Sequence, residues 1–326
     1  MKSLRILCVG SNLESEKALQ GLTNHGAPIV GLVTRPSTTP GQVSDYVDLH
    51  HYCTDNDIPV INTRDINSPE TLKEIKELEP DYIFVLGWSQ LFSEELLQTP
   101  TKFIVGSHPS RLPEGRGRAP IPWTILQGAS KSAVTLFRMD TGIDSGDILW
   151  QRSFPVEPDI YAMQLYLQTA TYLSTAFCEL SDALANDTIK SHKQDPAIVS
   201  HRSRRYPEDG YINFSLGALE IDRLIRATSQ PYPGAYAYHR GRKIEIWKTS
   251  LGDIPDAVGT PGQILKHSNN ALLVYSIDQP LWISDFTCNG QYISPTELPV
   301  GSCFGYRVND EIHKLWQAVH ALQNNE

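Results

Sequence analysis

One segment of the chain concentrates residues that can do chemistry: it runs from residue 106 to 123 and reads GSHPSRLPEGRGRAPIPW. A buried-strand pattern ends at His108, and a loop rich in proline and glycine follows with Arg111, Arg116 and Arg118. In open α/β sheets, ligands gather at the carboxyl ends of the strands. His108 therefore lies where a general acid or base is expected, because imidazole exchanges protons readily near neutral pH.

A second polar segment, MDTGIDSGDI at residues 139–148, places Asp140, Asp144 and Asp147 among small residues between two predicted strands. Its spacing is not that of an EF-hand calcium loop, since no glutamate stands at the twelfth position. One of these carboxylates can orient the imidazole of His108 and stabilise its protonated form. The two segments together predict acid–base catalysis without a metal ion.

The same two segments resemble the catalytic region of the N10-formyltetrahydrofolate-dependent formyltransferases. That family runs Asn-x-His-(Pro/Gly)-Ser-x-Leu-Pro, then Arg-Gly-x-x-Pro-Ile, then Asp-x-Gly-x-Asp-(Ser/Thr)-Gly-Asp. Residues 81–89 are similar to the strand and loop that hold the pterin, and residues 209–214 and 231–236 are similar to the start of its C-terminal OB-like domain. The resemblance covers both halves of the chain. It implies an N-formyltransferase that takes N10-formyltetrahydrofolate as co-substrate.

The resemblance implies that His108 is the general base and that Asp144 is its carboxylate partner. Two residues before the histidine the family has Asn, whereas this chain has Gly106, which offers no side-chain donor to the formyl oxygen. Loss of an oxyanion donor typically costs on the order of 10²–10³ in rate. A backbone N–H, Ser107, Ser110 or an ordered water are the alternatives for that role.

Two groups of binding residues complete the predicted site. The resemblance implies a folate-binding group made of Leu86, Gly87, Trp88, Ser89, Leu91, Asp140 and Gly142. Guanidinium groups bind phosphate oxygens in a bidentate way, so the arginine-rich loop favours a phosphorylated acceptor. That substrate-binding group comprises Arg116, Gly117, Arg118 and Pro120. The simpler interpretations are that Trp88 is a core residue and that the arginines only keep the loop soluble.

The N-terminal half must position these residues, and it alternates β-rich runs with helical patterns. This alternation is typical of a parallel sheet built from crossover units. The predicted strands are Leu4–Val9, Pro28–Val33, Val60–Asn62, Tyr82–Leu86, Phe103–Ser107, Ala133–Met139 and Ile148–Arg152. The predicted helices are Glu14–His25, Asp45–Asp55, Pro69–Glu77, Glu94–Leu97, Pro120–Gln127 and Asp159–Asn186. We therefore predict an α/β fold with a Rossmann-like catalytic domain over residues 1–190.

The C-terminal half has a different pattern. Residues 191–206 are polar and basic, which predicts a linker, and residues 207–326 form the second predicted domain. Short alternating runs separated by Gly, Pro and Asn turns predict a small OB-like barrel. Its predicted strands are Ala235–His239, Lys243–Lys248, Gly262–Lys266, Ala271–Ser276 and Leu281–Ile283, and its predicted helices are Leu219–Ala227 and Asp310–Leu322.

Composition narrows the class of protein. The 28 Lys and Arg against 37 Asp and Glu give a net charge of −9, of which −8 falls on residues 1–200. An acidic catalytic half argues against nucleic acid as the main partner. Five scattered cysteines without a C-x-x-C pair predict neither a disulfide framework nor a zinc ribbon, and they fit a reducing cytoplasm. The sequence has no run of about 18 apolar residues, so we predict no membrane span.

Several acceptors of the formyl group stay open. The segments at residues 44–49, 87–91 and 115–123 resemble the branch of the family that formylates nucleotide-linked amino sugars for surface polysaccharides, which is the leading hypothesis. A methionyl-tRNA formyltransferase is the second hypothesis, favoured by Lys190, Lys193, Arg202, Arg204 and Arg205. A non-catalytic folate or nucleotide-sugar binding protein and a formyl-folate hydrolase are further alternatives. The resemblance also makes a homodimer plausible.

Overall fold

The computed structural model describes residues 4–38, 45–252, 254–306 and 308–323, which form two compact units that meet in sequence at Arg205 and Tyr206. The strands of the first unit are β1 (Ile6–Gly10), β2 (Ile29–Thr34), β3 (Val60–Asn62), β4 (Tyr82–Gly87), β5 (Phe103–His108), β6 (Arg116–Gly117), β7 (Lys131–Arg138), β8 (Ile148–Pro155) and β9 (His201–Arg202). Its helices are α1 (Leu13–His25), α2 (His50–Asp55), α3 (Pro69–Glu77), α4 (Glu94–Leu97), α5 (Pro120–Leu126) and α6 (Ala162–Ala185).

Seven of these strands form one sheet in the order β3-β2-β1-β4-β5-β7-β8. Strands β1 to β5 are parallel, whereas β7 pairs antiparallel with β5 and β8 pairs antiparallel with β7. The chain builds outward on one side of β1 and then crosses to β4 on the other side, so the carboxyl ends of β1 and β4 form a topological switch point. The predicted Rossmann-like α/β architecture is confirmed.

The strands that lead to this switch point are buried on both faces. All five residues of β1 are buried, as are the first five of β4, because helices cover both faces of a parallel sheet. On one face, Leu7 and Ile83 pack in a core cluster with Ile75 of α3. On the other face, the ring of Phe84 lies 5.3 Å from that of Phe177 in α6. Packing on both sides holds β1 and β4 in place.

One predicted helix is shorter than expected. The sequence predicts a helix over Asp45–Asp55, but α2 occupies only its second half. Val47 instead donates its backbone N–H to the carbonyl of Ser11 at 3.0 Å, which keeps the preceding residues extended. The carboxylate of Asp48 then accepts a backbone N–H at 3.0 Å where the helix begins. Ser44, the first residue of the motif at 44–49, lies outside the described residues.

Among its described residues, the second unit contains a six-stranded antiparallel sheet and two α-helices. These elements are α7 (Ala218–Thr228), β10 (Ala235–His239), β11 (Arg242–Ser250), β12 (Ile264–Ser268), β13 (Ala271–Tyr275), β14 (Pro280–Cys288), β15 (Gln291–Ile293) and α8 (Val308–Gln323). The sheet order is β10-β11-β14-β13-β12, with β15 on β14. Residues 302–305 lie between the two edge strands: Ile264 donates to the carbonyl of Ser302 at 2.8 Å, and Gly305 donates to that of Tyr238 at 2.7 Å.

This arrangement agrees with the predicted β-rich second domain. The apolar side chains of α7 and of the strands share one core, which includes Ile221, Ile246 and Phe286. Across the helices within the described ranges, none is long and apolar enough to cross a membrane.

Candidate active site

His108 is the last residue of β5 and is only 5% exposed. Its Nε2 lies 2.8 Å from the backbone carbonyl oxygen of Gly115. A carbonyl oxygen accepts hydrogen bonds and cannot donate them, so Nε2 carries the ring hydrogen in the neutral imidazole. The lone pair of the neutral ring is therefore at Nδ1, which is the atom able to accept a proton.

Asp144 faces that atom. Its Oδ2 lies 3.6 Å from Nδ1 of His108, which is longer than a hydrogen bond. The same Oδ2 accepts the backbone N–H of Gly117 at 2.8 Å, which fixes the carboxylate in this direction. When Nδ1 takes up a proton, a small approach of the two side chains creates a charge-assisted hydrogen bond. In this geometry Nδ1 of His108 makes no hydrogen bond to Asp144, and the carboxylate lies next to the atom that can accept a proton.

Strand β7 anchors the loop that follows His108. The hydroxyl of Thr135, which is fully buried, donates to the carbonyl of Ser110 at 2.7 Å and accepts the N–H of Leu112 at 3.3 Å. Gln151 of β8 donates to both Thr135 Oγ1 and the carbonyl of Leu112 at 2.9 Å. These bonds hold the turn that carries the chain from His108 to Gly115.

Gly106 lies opposite Phe137 in the antiparallel pairing of β5 with β7. Opposed residues of an antiparallel pair have their side chains on the same face of the sheet. A Cβ at position 106 would lie 2.7 Å from Cζ of Phe137 and 2.9 Å from Cγ of Met139. Since Phe137 is 4% exposed, its ring fills the space in which the family's asparagine side chain would lie.

The two serine hydroxyls proposed as oxyanion donors are used elsewhere. Ser107 donates its hydroxyl hydrogen to the carbonyl of Val85 at 2.8 Å. Ser110 donates to the carbonyl of Glu114 at 2.7 Å. A hydroxyl has a single hydrogen, so neither can also donate to a formyl oxygen in this geometry. Of the four alternatives, a backbone N–H and an ordered water remain.

Position 87 needs a glycine because of the neighbouring Asn12, and not only because of the predicted contact with the pterin. A Cβ there would lie 2.4 Å from Oδ1 of Asn12, the residue that caps the N-terminus of α1. Trp88 is half-buried against the core of the sheet, donates Nε1–H to Gln90 at 3.1 Å and lies under the guanidinium of Arg35 at 4.8 Å. The interpretation of Trp88 as a core residue agrees with these contacts.

The other predicted folate-binding residues divide into buried and exposed ones. Leu86 is fully buried, so its side chain belongs to the core. Asp140 accepts the N–H of Gly142 at 3.0 Å and the hydroxyl of Ser145 at 2.7 Å, which shapes the turn between β7 and β8. Ser89 is exposed, and Leu91 is 70% exposed. These last two offer surface to a ligand.

The predicted phosphate-binding arginines behave differently from each other. Arg116 donates from Nε and Nη2 to the side-chain oxygen of Gln194, at 3.1 and 2.7 Å. Two of its donors are therefore already engaged within the protein, which argues against Arg116 as a phosphate ligand. Arg118 is exposed and makes one 3.2 Å bond to the carbonyl of Ser89. Of the two, Arg118 is the more exposed.

Part of the predicted linker pairs with the loop that contains Gly115 and Gly117. Strand β9 pairs with β6, and Gly115 donates its N–H to Oγ of Ser200 at 2.8 Å. The guanidinium of Arg202 donates to the carbonyl of Pro120 at 3.1 Å and to Oε1 of Gln127 at 2.9 Å. A Cβ on Gly117 would lie 2.4 Å from the carbonyl of Arg202. Gly117 and Pro120, predicted to bind substrate, thus support the loop.

A buried carboxyl group lies at the neighbouring strand end. Glu14, in the first turn of α1, is 8% exposed, and burial together with the nearby Asp45 raises its pKa to about 8. Asp45 accepts the hydroxyl of Tyr166 at 2.6 Å and the amide of Asn12 at 3.4 Å. The sequence did not single out Glu14, because an acidic residue in the first turn of a helix is common.

Within the residues that the structure describes, no three His, Cys, Asp or Glu side chains are grouped so that they could hold a metal ion.

The fold and the site together define a two-unit enzyme of the N-formyltransferase class. The chain belongs to the formyl transferase family: the family's formyl transferase profile matches residues 4–179, and its C-terminal domain profile matches residues 205–298. The resemblance carried by the two sequence segments is confirmed.

Relatives in sequence are methionyl-tRNA formyltransferases. That of Geobacter sulfurreducens is 27% identical over 298 residues, which is 91% of this chain and 93% of the relative. That of Geobacter metallireducens is 29% identical over 293 residues, which is 89% of this chain and 93% of the relative.

Solved structures of sugar enzymes share the fold. An N-formyltransferase from Helicobacter canadensis, in complex with folinic acid and dTDP-3-aminofucose, has a TM-score of 0.66 at 22% identity, covering 87% of this chain and all of that chain. The sugar 3N-formyl transferase WlaRD, crystallised with dTDP and 5-N-formyl-THF, has a TM-score of 0.65 at 21% identity, covering 89% of this chain and all of that chain.

Proposed function

We propose that the protein transfers the formyl group of N10-formyltetrahydrofolate to the amine of a nucleotide-linked amino sugar. The observation that carries the choice of acceptor is the distribution of charge. Residues 1–200, which include His108 and Asp144, hold sixteen basic and twenty-four acidic side chains. Such a surface repels an RNA backbone at long range, whereas a single diphosphate needs only a few local donors.

The basic segment at the end of the first unit supports this choice. Arg202 was one of the residues that favoured tRNA, but its guanidinium is turned inward to Pro120, Thr124 and Gln127. Burial lowers the pKa of Arg202, which is the expected effect of desolvating a cation. This arginine stabilises α5 and is not displayed toward a polyanion.

The proposed reaction moves one proton and one formyl group. The acceptor amine attacks the formyl carbon, so a new C–N bond forms and the carbonyl oxygen becomes an oxyanion. Nδ1 of His108 takes the proton from the attacking nitrogen, and Asp144 stabilises the imidazolium. As the oxyanion collapses, the bond from carbon to N10 breaks and His108 returns the proton to N10. The products are the formamide of the sugar and tetrahydrofolate.

The folate co-substrate would lie at the switch point beside the loop that follows β4. The exposed side chain of Leu91 and the backbone around Ser89 supply apolar and polar surface there. Arg118, whose guanidinium lies 3.2 Å from the carbonyl of Ser89, would reach the diphosphate of the acceptor. The sugar enzymes that share the fold were crystallised with dTDP ligands and folate compounds, which supports this arrangement.

The test is an acceptor panel. The protein is incubated with N10-formyltetrahydrofolate and UDP- and dTDP-linked amino sugars while tetrahydrofolate release and sugar formylation are followed. We expect release that depends on one class of amino sugar. Release that is independent of any amine would instead indicate hydrolysis of the formyl-folate, and no release with any sugar would count against the proposal.

Methionyl-tRNA formyltransferase is the second candidate, because relatives of that name match about nine tenths of the chain. Formylation of charged initiator tRNA at physiological salt, faster than that of every sugar, would favour it. Weak binding that disappears steeply with salt and gives no turnover would not.

A non-catalytic folate or nucleotide-sugar binding protein is the third candidate, because Gly106 replaces the usual asparagine. His108→Ala separates it from an enzyme. Activity in the parent that falls by about 10²-fold or more in the variant excludes the binding protein. The cytoplasmic location and the homodimer remain predictions.

A further inference from the structure

We propose that Gln194 is the positioning residue that holds Asp144 against His108, a role that rests on the proposed formyl transfer. Gln194 lies between α6 and β9 and is half-buried. Its amide nitrogen donates to the carbonyls of Asp144 and Gly146, both at 2.8 Å. Its oxygen accepts from Nε and Nη2 of Arg116. One side chain thus ties together the two loops that supply the partners of His108.

The first loop needs this support because of its backbone. Asp144 has a φ of +50°, in the left-handed region that non-glycine residues rarely adopt. The turn is also tight, since a Cβ on Gly146 would lie 1.6 Å from the carbonyl of Arg138. The two bonds from Gln194 fix the orientation of the peptides at Asp144 and Gly146. That orientation sets the direction in which the Asp144 side chain leaves the backbone.

The second loop is held from the same point. Arg116, which Gln194 holds, lies between Gly115 and Gly117 in the chain. The carbonyl of Gly115 accepts from Nε2 of His108, and the N–H of Gly117 donates to the Asp144 carboxylate. Ser200 adds a second attachment, since its carbonyl accepts the N–H of Arg116 at 3.0 Å. Displacement of Arg116 would therefore disturb both sides of the imidazole.

Gln194→Ala and Gln194→Glu test the role kinetically. The glutamate keeps an acceptor for Arg116 but has no N–H for the two carbonyls. We expect both variants to lower kcat by about 10- to 100-fold, because small misplacements of catalytic groups have effects of that size. KM for folate and acceptor should change by less than about 3-fold. Gln168→Ala is the matched control. Gln168 lies on α6, and its side-chain amide also donates to a backbone carbonyl, that of Pro155.

A double-mutant cycle separates positioning from general support. In an Asp144→Asn background, Gln194→Ala should lower kcat by less than about 2-fold more, because the group through which it acts is gone. A further loss as large as in the parent would overturn the proposal.

NMR of the free protein can test the positioning role of Gln194 without any measurement of formyl transfer. Nitrogen-15 labelled histidine gives NMR signals for the His108 ring in the free protein. Gln194→Ala should shift these signals in the same direction as Asp144→Asn, while Gln168→Ala leaves them in place. Unmoved ring signals in Gln194→Ala would overturn the positioning role. Shifted signals with no formyl transfer to any acceptor would support the positioning role and reject the proposed function.

Discussion

The ring of Phe137 lies in the space that a side chain at Gly106 would need, with Cζ 2.7 Å from the position of the missing Cβ. The two residues are opposed in the pairing of β5 with β7, so the contact follows from the register of the sheet. The absence of the family's asparagine is therefore coupled to an aromatic residue on the adjacent strand. An asparagine at position 106 would have to displace the ring of Phe137.

Gly106→Asn should consequently destabilise the protein without raising its activity. Overpacking of a buried site typically costs about 1–3 kcal/mol, which urea unfolding measures. Phe137→Ala should cost less stability in the Gly106→Asn background than in the parent, because the asparagine side chain takes up space that the ring vacates. Gly252→Asn is the control, since a Cβ there meets only Oγ of Ser250 at 3.6 Å. Equal stability of Gly106→Asn and parent would contradict the packing argument.

Asp144→Asn should lower kcat by about 10²- to 10⁴-fold and leave unfolding almost unchanged. Asparagine tolerates positive φ well and still accepts the N–H of Gly117, but it carries no charge to stabilise the His108 imidazolium. Steady-state kinetics on the acceptor identified by the panel measure the effect. Asp159→Asn, at an exposed position, serves as the control. A loss of less than about 3-fold would reject Asp144 as the partner.

Glu14→Gln should change the pH dependence of stability. Because the pKa of Glu14 is raised to about 8, the folded protein holds this proton more tightly than the unfolded chain. Stability is therefore lost as pH rises from the ordinary range of a glutamate toward and above 8. The variant should be more stable than the parent at pH 9, by on the order of a few kcal/mol, and similar at pH 4. Urea unfolding across this range measures it, with Glu16→Gln as control.

Arg118→Ala should raise KM for the nucleotide sugar by about 10-fold, because the proposed charge-assisted contact to the diphosphate would be lost. KM for the folate should stay within about 2-fold. Arg111→Ala, in the same loop but paired with Glu114 at 3.8 Å, is the matched control. Equal effects of the two substitutions on the acceptor would show that the loop acts only through its overall charge.

Much of the fold followed from local patterns. Strong sequence signals mark the apolar run of β1 and the amphipathic helix α3, which has Ser68 as its cap and a proline directly after it. The structure has both elements at the predicted places. The predicted helix over Asp45–Asp55 was too long, because a backbone pairing with Ser11 overrides the helical pattern in its first half. Such a tertiary contact has no local signature.

The site was predictable only in part. His108 was predicted from its position at the end of a strand and Asp144 from the family resemblance. The hydrogen bond that assigns the tautomer of His108 is made to a backbone carbonyl, which every residue has. Gln194 stands in a polar segment without periodicity, where nothing distinguishes it from its neighbours. The contact of Phe137 with Gly106 depends on strand register, and a slip of one residue would put the ring on the other face.

The return of residues 194–202 to the loop of Arg116 has a consequence for how such proteins can be recombined. Residues 194–202 belong to the first unit and pair with its loop, so the boundary for exchanging C-terminal domains lies after Arg205 and not at residue 190. A chimera joined upstream of Gln194 would take the residues that support the loop after His108 from the donor of the second unit. Acceptor specificity and catalytic alignment could then change together in a single crossover.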